Sequence, residues 1–185
     1  MAHGSHETEI KLAVANAESA RRLLRANGFR VVRPRVFEAN TVFDTQTLTL
    51  RKSSTLLRVR EAGGTVKVTF KGKSIPGRHK SREELELAVS HAGAMTAIFD
   101  RLGYRPSWRY EKYRTEFHQP GRAGVIMLDE TPIGAYLELE GTPHWIDRTA
   151  RHLGFQESDY ITASYGRLYL DWCARRRRKP SNMVF

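Results

Sequence analysis

The sequence predicts an α+β domain built around an antiparallel β-sheet. Apolar and charged residues alternate over many short segments, which is typical of strands with one buried face. Turns containing Gly or Pro separate these segments, as they do in β-hairpins. Four other segments have helical periodicity and suitable capping residues. At 185 residues, the chain is long enough for one sizeable core without disulfides or a structural metal.

The helices are predicted from their end signals. Asn16 is a suitable N-cap for the first helix, and Gly28 is a suitable stop. Pro143 lies at or near the first turn of the third helix, where proline is tolerated. The expected helices run from Asn16 to the residue before Gly28, and over about 92–102, 143–153 and 164–178.

Turns are predicted where Gly and Pro interrupt the alternation. Gly63 and Gly64 separate LLRVRE from TVKVTFKG, which indicates a tight hairpin. Pro120–Arg122 separates YEKYRTEF from GVIMLD and predicts a second hairpin, and the TPIG segment separates VIMLDE from AYLELEG. The segment 72–80, GKSIPGRHK, is expected to be a mobile basic loop.

One face of nearly every predicted strand is ionised. In HETEIKL the charged residues Glu7, Glu9 and Lys11 occupy alternate positions, and residues two apart share one face of a strand. The corresponding positions of the other strands are Arg58, Arg60, Lys67, Thr69, Lys71, Arg82, Glu84, Glu86, Lys112, Arg114, Glu116, Asp129, Glu138 and Glu140. A half-buried sheet with a solvated polar face would explain any one strand. Solvated faces usually include Ser, Thr, Gln and Asn, however, whereas here the charges are dense and grouped by sign.

A barrel with this face inward would have a channel lined by ionised side chains. Like charges held close together repel one another, so such a channel requires a ligand. Paired carboxylates suit a hard divalent cation, and clustered Arg and Lys suit a polyanion with several close charges. A metal–polyphosphate complex satisfies both requirements.

The composition indicates which kinds of partner and which cell compartment to expect. The net charge of +11 implies an anionic partner, such as nucleic acid, a membrane surface or a phosphate ester. Five of these charges lie in the run 175–179, which we expect to be a solvated end; nucleic-acid binding by this run is the alternative. No aromatic or acyl anchor accompanies it, so no membrane partner is expected. A single cysteine, Cys173, and the lack of an export signal or long apolar run predict a cytoplasmic location.

A series of motifs along the chain resembles a known family. Residues Glu7–Lys11 match an ExExK signature, and further motifs follow in family order up to Tyr169. These motifs are FDT, LLRVR, VTFKG, KSREELE, EKYRTEF, LDETPIGAYLELE and SYGRLY. Together they resemble the CYTH superfamily, the triphosphate tunnel metalloenzymes, and within it the branch of class IV adenylate cyclases. On this basis we expect an N-terminal extension over 1–6, one CYTH domain over 7–174 and a basic tail over 175–185.

The resemblance implies a specific fold and site. The expected fold is an eight-stranded antiparallel β-barrel with a charged interior and flanking helices, which binds a triphosphate with Mg²⁺ or Mn²⁺. The implied metal ligands are Glu7, Glu9, Asp129, Glu138 and Glu140. The implied triphosphate-binding residues are Lys11, Arg58, Arg60, Lys67, Lys71, Arg82, Lys112 and Arg114, and the implied catalytic residues are Glu7, Glu9, Lys11 and Asp129. Glu84 and Glu86 are further candidates, as is Arg167 for a basic residue that family members often supply from the C-terminal helix.

Several functions are compatible with such a tunnel. Branch resemblance favours an adenylate cyclase, in which the ribose 3′-hydroxyl of ATP attacks the α-phosphorus. Hydrolysis of tripolyphosphate or thiamine triphosphate is the alternative, and a non-catalytic protein that binds polyphosphate or nucleic acid is a third hypothesis. No nucleoside-reading motif is present in the sequence. Phe43, Trp108 and Tyr136 are candidates for stacking on a base, although barrel-wall packing explains them more simply. A homodimer is compatible with the sequence.

Overall fold

The centre of the structure, a computed structural model that describes residues 5–185, is a closed barrel of eight antiparallel strands. The strands are β1 (Ser5–Val14), β2 (Arg30–Asp44), β3 (Leu56–Ala62), β4 (Thr65–Lys71), β5 (Lys80–Val89), β6 (Arg105–His118), β7 (Val125–Thr131) and β8 (Gly134–Glu140). Around the barrel they follow the order β1-β5-β4-β3-β2-β6-β7-β8. The predicted fold is therefore confirmed.

Five α-helices connect or flank the strands. They are α1 (Ala17–Ala26), α2 (Thr49–Lys52), α3 (Ala92–Arg101), α4 (Pro143–His152) and α5 (Tyr165–Arg175). The side chains of Asn16, Thr142 and Ser164 cap α1, α4 and α5 by accepting hydrogen bonds from backbone N–H groups. All four predicted helices are confirmed, although the last ends at Arg175 instead of Arg178. Among the described residues, no helix has the length and apolar character needed to span a bilayer.

The apolar half of the strand alternation faces outward. Ile10 and Leu12 of β1 and Leu137 and Leu139 of β8 are fully buried against α1 and α4, with Ile146 among their neighbours. Because successive side chains of a strand point to opposite faces, the charged half must then face the barrel interior. The hydrophobic core thus lies between the barrel and its helices, and it leaves the interior to ionised side chains.

Strand β2 was not predicted from the sequence. Its segment RVVRPRVFEANTVFD lacks regular alternation and contains Pro34, and its pairing with β6 shifts register at three places. Such irregular pairing is typical of β-bulges, which break the period of two. Because β2 pairs with both β3 and β6, it completes the closed barrel.

The structure differs from the sequence-based expectation in three segments. Strand β1 begins at Ser5, so residues 5 and 6 of the predicted N-terminal extension belong to the barrel, while residues 1–4 lie outside the described residues. The run 175–179 is exposed as expected, but the chain then returns to β6, where buried Met183 exchanges backbone hydrogen bonds with Arg109 and Glu111. The predicted tail therefore packs on the barrel through an apolar side chain. The loop 72–80 is anchored to α4, since Arg78 and His79 both contact Asp147.

Candidate active site

The barrel encloses a cavity of about 1240 Å³. Its lining includes most of the residues that the sequence predicted for a site: Glu7, Glu9, Lys11, Arg58, Arg60, Lys71, Arg82, Glu84, Glu86, Lys112, Arg114, Glu138 and Glu140. Lys67 and Asp129 are the two predicted residues that do not line it. The prediction that one charged strand face lies inside the barrel therefore agrees with the structure.

The register between adjacent strands places oppositely charged residues side by side. Lys11 of β1 lies opposite Glu138 of β8, and Glu7 of β1 lies opposite Arg82 of β5. Cross-strand neighbours of this kind are close enough for their side chains to interact. The interior is consequently a connected network of ion pairs rather than separate acidic and basic patches.

Lys11 lies between two buried carboxylates. Its Nζ atom is 3.2 Å from Glu9 and 3.0 Å from Glu138. Glu9 also accepts a hydrogen bond of 2.9 Å from Lys80, a buried residue that was not predicted as part of the site. Burial alone raises the pKa of Glu9, but Lys11 and Lys80 outweigh it and hold this pKa well below its usual range. Glu9 is therefore ionised.

Glu7 and Glu140 are less well neutralised by neighbouring cations than Glu9 is. Glu7 is 2.5 Å from Lys71, yet burial and the nearby charge of Glu9 raise the pKa of Glu7 to about 8. Glu140 makes no ion pair with the other described residues, and burial and Glu9 raise its pKa as well. In this part of the cavity the carboxylates therefore lack sufficient positive charge, which is the condition that a bound cation would relieve.

Asp129 organises two of the cations from behind the cavity wall. It is fully buried, and its Oδ2 atom accepts hydrogen bonds of 2.7 Å from Lys112 and 2.7 Å from Tyr165. Arg114 donates to both carboxylate oxygens, at 2.7 Å from Nε to Oδ1 and 2.6 Å from Nη2 to Oδ2. A metal bound directly to Asp129 would have to displace these donors. The metal and catalytic roles of Asp129 stay predictions, and its contacts are those of a residue that positions Lys112 and Arg114.

Arg58 is a buried cation without a carboxylate partner among residues 5–185. Its Nη1 donates to the Tyr110 hydroxyl at 3.1 Å and its Nη2 donates to Thr69 at 3.0 Å, whereas its Nε has no hydrogen-bond partner. The Nε atom of Arg82 also lacks a hydrogen-bond partner in the described structure and is 3.8 Å from Glu7. Buried donors left unpaired are costly, so these two guanidinium groups are suited to receive an anion.

Glu38 and Asn40 do not line the cavity, but they contact cations that do, and they were not predicted. Asn40 accepts a hydrogen bond of 2.9 Å from Arg60, and Glu38 lies 3.4 Å from Arg60 and 3.7 Å from Lys112. Burial raises the pKa of Glu38, but the neighbouring cations outweigh burial and lower this pKa to about 2. The available signal was the alternation of Glu38 and Asn40 in FEANTV, which the irregular remainder of β2 concealed.

The remaining candidates lie at the edges of the site. Lys67 and Glu86 form an ion pair of 2.6 Å with both side chains partly exposed. Arg167 lines the rim of the cavity, but its side chain is 70% exposed and pairs with Asp171 within α5. In the C-terminal helix, the side chain that reaches the buried charges is that of Tyr165.

The three aromatic candidates for base stacking are part of the wall. Phe43 packs edge-on against Phe99 at 5.1 Å between ring centroids, and Tyr136 packs edge-on against Tyr165 at 5.7 Å. Trp108 stacks on Tyr110 at 4.9 Å. Packing within the protein therefore accounts for all three rings.

The carboxylates are of the type that binds Mg²⁺ or Mn²⁺. No group of three or more His, Cys, Asp and Glu side chains in residues 5–185 forms a ready-made metal centre. Glu7, Glu9 and Glu140 nevertheless supply hard oxygen donors, and the negative charge of Glu7 and Glu140 is incompletely compensated. The donor set therefore fits a divalent cation.

Comparison with known proteins identifies the family. Residues 5–165 match the CYTH domain, and the chain belongs to this family. A Methanocaldococcus jannaschii protein named "putative adenylate cyclase" is 28% identical over 134 residues, which are 72% of this chain and 75% of that protein.

Solved structures of other proteins share the fold. A Vibrio parahaemolyticus protein described as a "putative adenylate cyclase" has a TM-score of 0.74 at 20% identity and covers 90% of this chain and 98% of its own. A Hippeastrum protein described as a "putative adenylyl cyclase" with "a dominant" triphosphatase activity has a TM-score of 0.65 at 16% identity, covering 96% of this chain and 98% of its own.

Proposed function

We propose that this protein is a divalent-metal-dependent enzyme that acts on a triphosphate held in the barrel cavity, and that its reaction converts ATP into cyclic AMP and pyrophosphate. The observation that carries the proposal is that one cavity contains both a cation and carboxylates whose charges are incompletely paired. Arg58 is a buried cation without a carboxylate partner in the described chain, and Glu7 and Glu140 are carboxylates with incomplete cationic compensation. A polyanion bound with a divalent cation satisfies both.

The basic side chains would bind and orient the phosphates. Arg58, Arg60, Lys112 and Arg114 line the cavity; Asn40 holds Arg60 in position, and Asp129 holds Lys112 and Arg114. Phosphoryl transfer depends mainly on such positioning and on charge neutralisation. These cations would stabilise the charge that develops on the leaving pyrophosphate.

Glu7, Glu9, Glu138 and Glu140 would hold Mg²⁺ or Mn²⁺. A bound divalent ion would supply further neutralisation of the phosphate oxygens and activation of the attacking hydroxyl. In the cyclase reaction the bond between the ribose 3′-oxygen and the α-phosphorus forms, and the bond from the α-phosphorus to the β-phosphate oxygen breaks. Pyrophosphate leaves with the electron pair, and the hydroxyl proton passes to water.

The adenylate cyclase reaction is favoured by the names of the relatives from Methanocaldococcus jannaschii and Vibrio parahaemolyticus. The Hippeastrum structure, described as having a dominant triphosphatase activity, favours a second candidate. In that reaction water attacks the terminal phosphorus of tripolyphosphate or thiamine triphosphate. We further propose that the protein acts in the cytoplasm, on the basis of its single cysteine.

The proposal is tested by ³¹P NMR time courses with ATP, tripolyphosphate and thiamine triphosphate, each with Mg²⁺ and with Mn²⁺. Pyrophosphate and cyclic AMP from ATP support the cyclase. Orthophosphate released from tripolyphosphate or thiamine triphosphate would instead support the hydrolase. Binding of all three compounds without turnover would refute an enzymatic role and favour a polyphosphate-binding protein.

A further inference from the structure

The excess positive charge of this protein lies outside the barrel. Along the strands, the cavity is lined by the cations of Lys11, Arg58, Arg60, Lys71, Lys80, Arg82, Lys112 and Arg114, and by the carboxylates of Glu7, Glu9, Asp44, Glu84, Glu86, Glu138 and Glu140. Two further buried carboxylates, those of Glu38 and Asp129, contact these cations. The carboxylates of the interior therefore at least equal the cations in number. The formal net charge of +11 is carried by the outside of the molecule.

The densest part of this excess is the run of residues 175–179, which begins at the last residue of α5 and which we call the basic surface. All five residues are exposed, and none forms a salt bridge with another described residue. A cation in the last turn of a helix interacts favourably with the helix dipole, but this effect extends over one turn only. None of the five residues lines the cavity. Neither the helix end nor a triphosphate in the cavity therefore accounts for this run.

The basic surface has a defined conformation. The guanidinium carbons of Arg176 and Arg178 lie 4.7 and 5.5 Å from the ring centroid of Trp172, which in turn stacks on Tyr169 at 6.1 Å. Beyond the run, buried Met183 exchanges backbone hydrogen bonds with β6. Because both ends of the run are attached to the folded domain, its cations are held close together before a ligand binds. This arrangement lowers the cost of ordering them on binding.

The backbone at Arg177 adopts a conformation that favours glycine. Its φ is +52°, in the left-handed region, and its N–H donates to the carbonyl of Ala174 at 3.1 Å. The N–H of Arg178 donates to the carbonyl of Cys173 at 2.9 Å, which completes a common motif of helix C-termini. Helices α1, α3 and α4 end with the same pair of hydrogen bonds, and there the left-handed residue is a glycine, namely Gly28, Gly103 and Gly154.

An arginine at this position strains the end of α5. Glycine has no Cβ atom and enters the left-handed region readily, whereas an L side chain is disfavoured there. Strained residues of this kind are concentrated at functional sites. The chain thus has a cation at position 177 where glycine would fit the backbone better, which indicates that the charge of Arg177 has a function.

We propose that the basic surface binds the phosphate backbone of nucleic acid without sequence preference. Guanidinium groups bind phosphate oxygens through paired hydrogen bonds, and residues 175–178 are all arginines. A row of closely spaced cations also matches a polymer that has one negative charge on every nucleotide. This binding is separate from the chemistry of the cavity.

An anionic membrane is another surface that attracts clustered cations. Stable attachment to a bilayer generally takes a second, apolar signal beside the cations. The nearest aromatic residue along the chain, Trp172, packs against Tyr169, Arg176 and Arg178, so its ring is not free to enter a bilayer. The basic surface therefore fits nucleic acid better than a membrane.

The test is fluorescence anisotropy with a labelled single strand of about 16 nucleotides, at several salt concentrations around ~150 mM. The strand ends in a 5′-hydroxyl group, so it has no triphosphate to enter the cavity. In the variant Arg175→Gln/Arg177→Gln/Lys179→Gln we expect binding at least about tenfold weaker than in the wild type. The slope of log K against log salt should become shallower by about 2, because each lost phosphate contact removes about 0.7.

The matched control is Arg25→Gln/Arg101→Gln/Arg122→Gln, in which three exposed arginines without a salt bridge to a described residue are lost. This variant has the same net charge as the first one, but it leaves the basic surface intact. It should weaken binding less than about twofold, since the phosphate contacts remain.

Arg177→Gly separates a binding role from a structural one. It should weaken binding by about threefold, because one phosphate contact is lost. It should also raise the urea midpoint of unfolding, because glycine relieves the strained backbone. A raised midpoint with unchanged affinity would contradict the proposal.

The other outcomes are equally decisive. Equal losses in the two triple variants would refute the basic surface as the site, because binding would then follow net charge alone. Binding of phosphatidylserine vesicles but not of the strand would identify a membrane as the partner instead. Turnover of triphosphates should be the same in the first triple variant as in the wild type. A parallel loss of turnover and of nucleic-acid binding would contradict a surface that is separate from the cavity.

Discussion

The guanidinium group of Arg58 donates a hydrogen bond of 3.1 Å to the hydroxyl of Tyr110 inside the barrel. This contact joins the cationic part of the cavity to its aromatic wall, because the Tyr110 ring also stacks on Trp108. It makes Tyr110 sensitive to the charge of whatever occupies the cavity.

Tyr110 should ionise at an unusually low pH. Burial raises its pKa, but Arg58, Arg60 and Lys112 together outweigh burial and lower this pKa to about 8. An unfolded tyrosine has a pKa of about 10. Because the folded pKa is the lower one, the ionised ring stabilises the fold fully above about pH 10, and this contribution is lost as the pH falls through about 8.

Ultraviolet difference spectroscopy of tyrosinate checks this prediction. The wild-type protein should show one ionisation near pH 8 that is missing from Tyr110→Phe and retained in Tyr136→Phe, whose tyrosine has a raised pKa. Tripolyphosphate should move the ionisation to higher pH, because a bound polyanion neutralises the same cations. Identical titrations of wild type and Tyr110→Phe would contradict the assignment.

Loss of Lys11 should destabilise the protein strongly. Substitution Lys11→Met removes the cation between Glu9 and Glu138, and breaking a buried pair of this kind costs about 3–5 kcal/mol. For comparison, Lys67→Met breaks the partly exposed pair with Glu86 and should cost about 0–1 kcal/mol. The measurement is urea-induced unfolding.

The same variant tests the metal ligands. Mg²⁺ or Mn²⁺ should restore part of the stability lost in Lys11→Met, because a divalent cation would neutralise the carboxylates of Glu9 and Glu138 that lose their lysine partner. It should not change the stability of Lys67→Met. Equal losses in the two variants, or no recovery with either metal, would show that the carboxylates are not arranged as we propose.

Replacing a proposed metal ligand should remove turnover without unfolding the protein. Loss of a residue that only hydrogen-bonds to a metal ligand costs about 10- to 100-fold in affinity or activity. Loss of a ligand itself should cost more, so Glu9→Gln and Glu138→Gln should each lower metal-dependent turnover by about 100-fold or more. Glu116→Gln is the control, because Glu116 pairs with Arg33 and does not line the cavity. Retained turnover in both ligand variants would overturn the metal assignment.

Replacing Arg60 should affect triphosphates selectively. Hydrogen bonds to charged groups contribute about 1.5–3 kcal/mol, so Arg60→Ala should weaken tripolyphosphate binding about tenfold or more and orthophosphate binding much less. The control is Arg22→Ala, in which an exposed arginine of α1 is lost. Equal losses for the two ligands would argue against a site that contacts several phosphates of one ligand at once.

The sequence predicted the parts of the site that follow a strict period of two. Glu7, Glu9 and Lys11 lie in such a segment, as do Arg58 and Arg60, and all five line the cavity as expected. Their inward direction follows from geometry, because the apolar positions between them are covered by helices. Local alternation was therefore enough to identify most of the interior.

Residues that act through distant or irregular contacts were not predicted. Glu38 and Asn40 lie in β2, where bulges interrupt the alternation, and Tyr165 reaches Asp129 only because α5 packs at the mouth of the barrel. Likewise, the sequence could not show that four hydrogen-bond donor atoms occupy the carboxylate of Asp129. These features depend on tertiary packing that no local pattern encodes.

A crystal structure of the protein with tripolyphosphate and Mn²⁺, with the metal located by anomalous scattering, tests the central claim most directly. We predict a manganese peak beside the carboxylates of Glu7, Glu9, Glu138 and Glu140, and phosphate oxygens within hydrogen-bond distance of Arg58 and Arg60. Manganese outside the barrel, or a polyphosphate bound only to the exposed run 175–179, would contradict it.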